Sequence, residues 1–170
     1  MVRLSNEACK RKCGKRERIY VAVSEDLNAP SFSQNRPWRG FYVIKVGSTQ
    51  ACHDRENSLN RHIARQPRYA GVSDWRVVQC WDSSVTRQDE KRFRPWAKRH
   101  IRYFRPVPDI SGVRRKDLYG LSPQQVARGV WEPSTDRLND EIVAVAIRHL
   151  QSLIESGKLA DLSGKQERAS

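Results

Sequence analysis

Four side chains of different chemistry stand beside strand-like and helix-like segments. They are Tyr20 in RIYVAV, Lys45 two positions before Gly47 in YVIKVGST, Arg55 in CHDRENSLNRH and Glu90 in TRQDEKRF. As a set they suit the hydrolysis of a phosphodiester. That reaction needs an activated water, neutralisation of the charge that builds on a phosphorane-like transition state, and help for the departing oxygen. The Tyr20 phenol can act as the base if a nearby cation lowers a pKa that is ordinarily about 10. Lys45 could supply that cation or bind the attacking water. Arg55 offers a planar fork of donors matched to phosphate oxygens. Glu90 can hold one Mg²⁺, or Mn²⁺, through a hard carboxylate oxygen and leave the other positions to water and phosphate. His62 follows Arg55 at a spacing that brings both to nearly one helical face, so it could assist proton transfer. Gly47 suits close backbone approach to a phosphate, or a strand exit at positive φ. Every one of these residues also has a plain structural reading. Tyr20 could be a packed strand aromatic, Lys45 a solvated lysine and Arg55 a surface arginine. Glu90 could pair with Arg94 one turn on, and His62 could be a half-buried polar residue.

The elements that would position these residues follow from pattern. Residues 18–24 and 40–48 read as strands, rich in β-branched and aromatic types. A polar, proline-containing loop over 25–39 separates them, and they are expected to pair antiparallel. Residues 54–66 read as a helix with Asp54 as its N-cap. Residues 75–81 alternate as a third strand. Ser84 can cap a helix over 85–103, which Pro95 should kink or split. Residues 106–115 read as a loop. Residues 117–130 read as a strand end followed by a helix, with Ser122 as cap and Pro123 in the first helical position. Over 136–159, Leu138, Ile142, Val145, Ala146, Leu150 and Ile154 recur at helical spacing. Residues 161–170 read as a polar tail.

This order resembles the GIY-YIG nucleases: an Ile-Tyr strand, an aliphatic-Gly strand, a helix with an early Arg, a strand, then a helix bearing a Glu. The matching residues are Ile19 and Tyr20, then Lys45, Val46 and Gly47, then Arg55 and Glu90, within residues 18–130. The chain is similar above all to a branch frequent in phages and mobile elements, whose second motif reads Lys-aliphatic-Gly. DLYGLSPQQVARGV resembles the end of the domain in that branch. The resemblance implies an α+β fold, with a small, mostly antiparallel three-stranded sheet flanked by helices; the helical spacing beyond it is read as a C-terminal helical extension over 131–160. The resemblance also implies a metal-dependent DNA endonuclease with Tyr20, Lys45, Arg55 and Glu90 lining one cleft. The sequence departs from the family pattern at four points. Arg18 stands at the usual Gly of the first motif, and Lys45 at the usual tyrosine of the second. The loop between the first two strands is long, and Leu59 occupies the usual place of a histidine. A non-catalytic nucleic-acid-binding module of the same fold, and a ribonuclease or toxin-like effector, stand as alternatives.

Charge points to the partner. Thirty-two Lys and Arg face nineteen Asp and Glu, a net of +13. A surface this basic attracts polyanions, and duplex DNA is the expected partner, with RNA second. Residues 1–17 form a basic arm in which Lys10, Arg11 and Lys12 are candidate phosphate contacts. Arg92, Lys98 and Arg99 are candidates on the helix over 85–103. Cutting both strands from a single site needs pairing or two successive events, so a homodimer is one expectation. Four cysteines do not make a disulfide framework. Cys9, Cys13, Cys52 and His53 match no zinc-finger spacing, so zinc is not expected, and Cys80 reads as core. With no long apolar run and no apolar segment after the basic N-terminus, no membrane contact and a cytoplasmic location are expected. If the basic arm and helix carry phosphate contacts, duplex affinity should fall linearly in log–log form as salt rises, the slope reporting the phosphates neutralised. A titration across NaCl concentrations checks this, and a flat response counts against it.

Overall fold

A computed structural model describes residues 3–4, 17–25, 42–63, 74–82, 86–100, 105–108, 114–121, 123–129 and 136–159. The architecture is α+β. Its strands are β1 (Arg3–Leu4), β2 (Arg18–Ser24), β3 (Tyr42–Thr49), β4 (Trp75–Asp82), β5 (Arg105–Pro108) and β6 (Arg114–Leu121). Its helices are α1 (Cys52–Ser58), α2 (Thr86–His100), α3 (Pro123–Arg128) and α4 (Arg137–Glu155), and α1 runs on into a π turn over Leu59–Ile63. The strands form one sheet in the order β1-β4-β2-β3-β6-β5, antiparallel throughout.

The three expected strands are present at the centre, and β2 pairs with β3 as expected. The expected count of three is too small. β1 lies within the basic arm, β5 inside a segment read as loop, and β6 begins before residue 117. Their sequences explain the omission: RPVP and RRKDLYGL carry proline and charge instead of an apolar alternation. Proline is tolerated on an edge strand, where its missing N–H costs no ladder bond, and β5 is at the sheet edge.

Alternation gives the sheet two unlike faces. Ile19, Val21 and Val23 of β2 and Ile44 and Val46 of β3 join one apolar cluster. Phe93, Trp96 and Ala97 of α2, Val126 of α3, and Ile142, Ala146 and Leu150 of α4 complete it. The opposite face carries Tyr20 and Ala22, set across from Gly47 and Lys45. α1 lies on that side, where Arg55 reaches Tyr20.

Several local expectations change. Asp54 is not the N-cap of α1; Ala51 is, and Asp54 sits in the first turn, where a carboxylate complements the helix dipole. The Thr49 hydroxyl accepts the Ala51 N–H at 3.1 Å and so shapes the entry. α2 continues through Pro95 without a break. Pro123 opens α3 as expected. α4 starts at Asp136, whose carboxylate accepts the Asn139 N–H at 3.2 Å. It ends at Gly157, whose φ of 75° lets the Lys158 N–H return to the Leu153 carbonyl. Ser84, Ser122, the loop over 26–39 and the tail lie outside the described residues.

α4 was expected as an extension, yet its apolar stripe fills the core of the sheet itself, and the Trp81 indole N–H donates to Glu141 at 3.0 Å. Ile142→Ala should therefore cost about 2–5 kcal/mol, as in a core site. Urea denaturation of the full chain measures it. A loss near zero would mean that α4 is dispensable to the core.

Candidate active site

The site begins with the register of β2 on β3. Tyr20 stands directly opposite Gly47. A β-carbon built on Gly47 would lie 2.9 Å from the Tyr20 hydroxyl oxygen, 3.0 Å from Cε1 and 3.1 Å from Cζ. The hydroxyl end of the tyrosine ring therefore lies close against the glycine, and no larger residue fits there unless the ring moves. Gly47 serves this close approach; the positive-φ glycines are Gly129 and Gly157 among the described residues.

α1 then sets Arg55 on the ring. Arg55 Nε donates to the Tyr20 hydroxyl at 3.0 Å, and the guanidinium carbon lies 5.2 Å from the ring centroid. A charge-assisted hydrogen bond and a cation–π contact thus act together. With Nε engaged, both terminal guanidinium nitrogens keep their fork geometry for an oxyanion. Leu59, one turn along, is fully buried and seats the same side of α1.

Lys45 shares the Tyr20 face, across from Ala22 on β2 and Leu118 on β6, and is 4% exposed. It is not the solvated lysine of the plain reading. Tyr20 is 0% exposed. Arg55 is a cation in contact with its phenol, a pairing that the sequence did not suggest beside that with Lys45.

Glu90 does not line one cleft with Tyr20, Lys45 and Arg55 as expected: it comes from the other side of the sheet, because α2, which carries it, packs on the apolar face. It precedes Phe93 by one turn of α2, and so sits on the inward side of that helix. Its carboxylate accepts a hydrogen bond from the Ser48 hydroxyl at 2.8 Å. No Glu90–Arg94 ion pair forms among the described residues. Tyr20, Gly47 and Arg55 are thus in contact, with Lys45 on their face of the sheet. Glu90 is joined to the set through Ser48, the chain neighbour of Gly47. Ser48 went unread in the sequence. Its signal was alternation: Tyr42, Ile44 and Val46 point inward, so Ser48 does too, and a polar inward residue needs a partner.

Arg18, at the position where the resemblance has glycine, pairs with Asp82 at 2.7 Å across β2 and β4. His62 stands in the π turn, and its side chain lies outside the described residues. Lys10, Arg11, Lys12, Cys9 and Cys13 lie outside the described residues, as do the side chains of Cys52 and His53. Cys80 is buried and in no disulfide among the described residues, consistent with its core reading. Arg92, Lys98 and Arg99 are exposed on α2. Arg92 and Arg99 share one line of that helix at a two-turn spacing, while Arg87 pairs with Glu17 at 3.3 Å.

Among the described residues, no group of three or more His, Cys, Asp or Glu could enclose a metal, and no helix is long and apolar enough to cross a membrane. No protein-family model, curated protein or solved structure matches this sequence.

Gly47→Ala tests the packing at the centre of the site. Overpacking of this kind costs about 1–3 kcal/mol, and the cost should vanish when Tyr20 is also truncated to Ala. A double-mutant cycle by chemical denaturation reads the coupling. Equal costs in both backgrounds would mean that the tyrosine ring is not what Gly47 accommodates.

Proposed function

We propose that this protein is a metal-dependent endonuclease of GIY-YIG type that hydrolyses DNA phosphodiester bonds. The observation that carries the reading is the Arg55–Tyr20 contact seated on Gly47. Three motif positions far apart in sequence, from three different elements, meet with complementary chemistry. A phage or mobile-element role rests on the sequence resemblance alone.

In this reading Arg55 holds the scissile phosphate with its terminal nitrogens and gathers charge in the transition state. Tyr20 fixes the guanidinium through Nε; once its hydroxyl is uncovered and has given up its own proton to solvent, the phenolate takes a proton from the attacking water. Lys45 adds positive charge beneath the same face. Glu90 is the residue that would hold Mg²⁺ or Mn²⁺. Its carboxylate, held through Oε2 by the Ser48 hydroxyl, fits such an ion, since Mg²⁺ is commonly held by one or two carboxylates together with substrate phosphates. The metal, when bound, would stabilise the leaving oxygen. Because Glu90 approaches from the α2 side, the phosphate must lie across the end of β3 to meet both Arg55 and Glu90. The exposed basic residues of α2 would hold the flanking backbone. A homodimer would present two such sites.

A second reading has its own support. The complete burial of Tyr20 and the near-complete burial of Lys45 favour a nucleic-acid-binding module that keeps the fold without the chemistry. Plasmid nicking with Mg²⁺, with Mn²⁺ and with EDTA separates the two. Glu90→Ala should lower cleavage by orders of magnitude while duplex affinity stays equal or rises slightly, because a negative charge near the phosphates is gone. Arg92→Ala should weaken binding modestly, with activity recovered at high enzyme concentration. Cutting by Glu90→Ala at the wild-type rate would remove the metal role. No cutting by the wild type, with either metal on DNA or RNA, would leave the binding module.

A further inference from the structure

The edge of β4 is finished by side chains. The Asp74 carbonyl turns toward β2, where it accepts the Glu25 N–H at 3.0 Å. Backbone groups alternate in direction along a strand, so those of Trp75 and Val77 turn to the other edge. Among the described residues, β1 pairs with that edge only at Cys80 and Trp81. Asn60 serves Trp75 twice: its amide oxygen accepts the Trp75 N–H at 2.7 Å and its amide nitrogen donates to the Trp75 carbonyl at 2.8 Å. Glu56 accepts the Val77 N–H at 2.9 Å through one carboxylate oxygen, and Arg76 at 2.9 Å through the other. These two side chains do what a neighbouring strand would do.

Glu56 and Asn60 are four residues apart, and so are Arg55 and Leu59, so each pair forms its own line along α1 and its π-turn continuation. One line is bonded to the edge of β4. The adjacent line carries buried Leu59 and places Arg55 on Tyr20. We propose that Glu56 and Asn60 are positioning residues for Arg55. By standing in for a strand on the open edge of β4, they fix the height and rotation of α1 at which Arg55 Nε meets the Tyr20 hydroxyl. The catalytic meaning of that position rests on the nuclease reading; the positioning itself does not.

The test uses the full-length chain and reads Arg55 directly. Its Nε–H resonance, assigned by its absence in Arg55→Lys, should exchange slowly with water in the wild type. Glu56→Ala and Asn60→Ala should each speed that exchange by about threefold to tenfold, the scale of one lost hydrogen bond. Glu56→Gln keeps an acceptor for the Val77 N–H and should stay within about twofold of wild type by the same reasoning. Should either alanine variant fail to fold, Asn60→Asp keeps the size and one acceptor but sets a carboxylate against the Trp75 carbonyl, and is expected to show the same loosening. Unchanged exchange in the folded variants, or a Glu56→Gln that behaves like Glu56→Ala, overturns the proposal. If exchange responds as expected while no variant, wild type included, nicks DNA, the positioning stands and the nuclease reading fails.

Discussion

The arrangement depends on one close approach, that of the Tyr20 ring to the backbone of Gly47 across the β2–β3 ladder. With no side chain at Gly47, the ring can lie close and carry its hydroxyl to the place where α1 crosses the sheet. The Arg55 guanidinium then has both a ring face and an oxygen to bind. Each contact restricts the next. The register sets the ring over glycine, the ring offers a seat, and the seat engages Arg55 through Nε. Any slip of register by one residue would turn Tyr20 into the apolar core and dissolve the whole arrangement.

The two faces of the sheet do different work. The face under α2, α3 and α4 is filled by branched aliphatic and aromatic side chains, and each such burial contributes about 1.5–3 kcal/mol. The face under α1 holds a phenol and a lysine at central positions. Burying polar groups there is costly unless each is bonded. The apolar face supplies the stability that lets the other face hold polar chemistry. α4 belongs to this division: although last in the chain, it covers β2 and β4, and β2 carries Tyr20 on its other side.

Much of this was legible in the residues, for reasons that also explain the rest. β2, β3 and β4 could be read because central strands are apolar and β-branched. β5 could not, because an edge strand needs little apolar surface and tolerates Pro106; β6, though it lies between β3 and β5, opens on the charged run Arg114–Asp117 and shows apolar residues only at its end. The α4 stripe was legible at helical spacing, yet spacing alone does not say what a helix packs against, so its place in the core was missed. Tyr20, Gly47, Arg55 and Glu90 were picked out by type and order. Their connections were not, because Arg55–Tyr20 and Ser48–Glu90 join residues 35 and 42 positions apart. Glu56 and Asn60 look like ordinary helix-surface polar residues in sequence. Only the topology, which leaves Trp75 and Val77 at an open edge, shows what they bind.

Arg55 and Glu90 stand on helices packed against opposite faces of one sheet, each tied to a different strand residue. What they share is the end of β3, where Ser48 turns toward α2 and Gly47 lies beneath Tyr20. A ligand that engages both must therefore bridge the end of the sheet; it cannot sit in a pocket on either face. An extended, negatively charged backbone suits that geometry better than a compact anion, because it can touch Arg55 at one phosphate while its flanks run along the basic side of α2. The buried phenol adds an order of events. On the proposed nuclease reading, a phosphate would meet the guanidinium first, and the tyrosine oxygen would become available once that meeting drew Arg55 away from it. Occupancy and catalysis would then be coupled through the hydrogen bond between Arg55 and Tyr20.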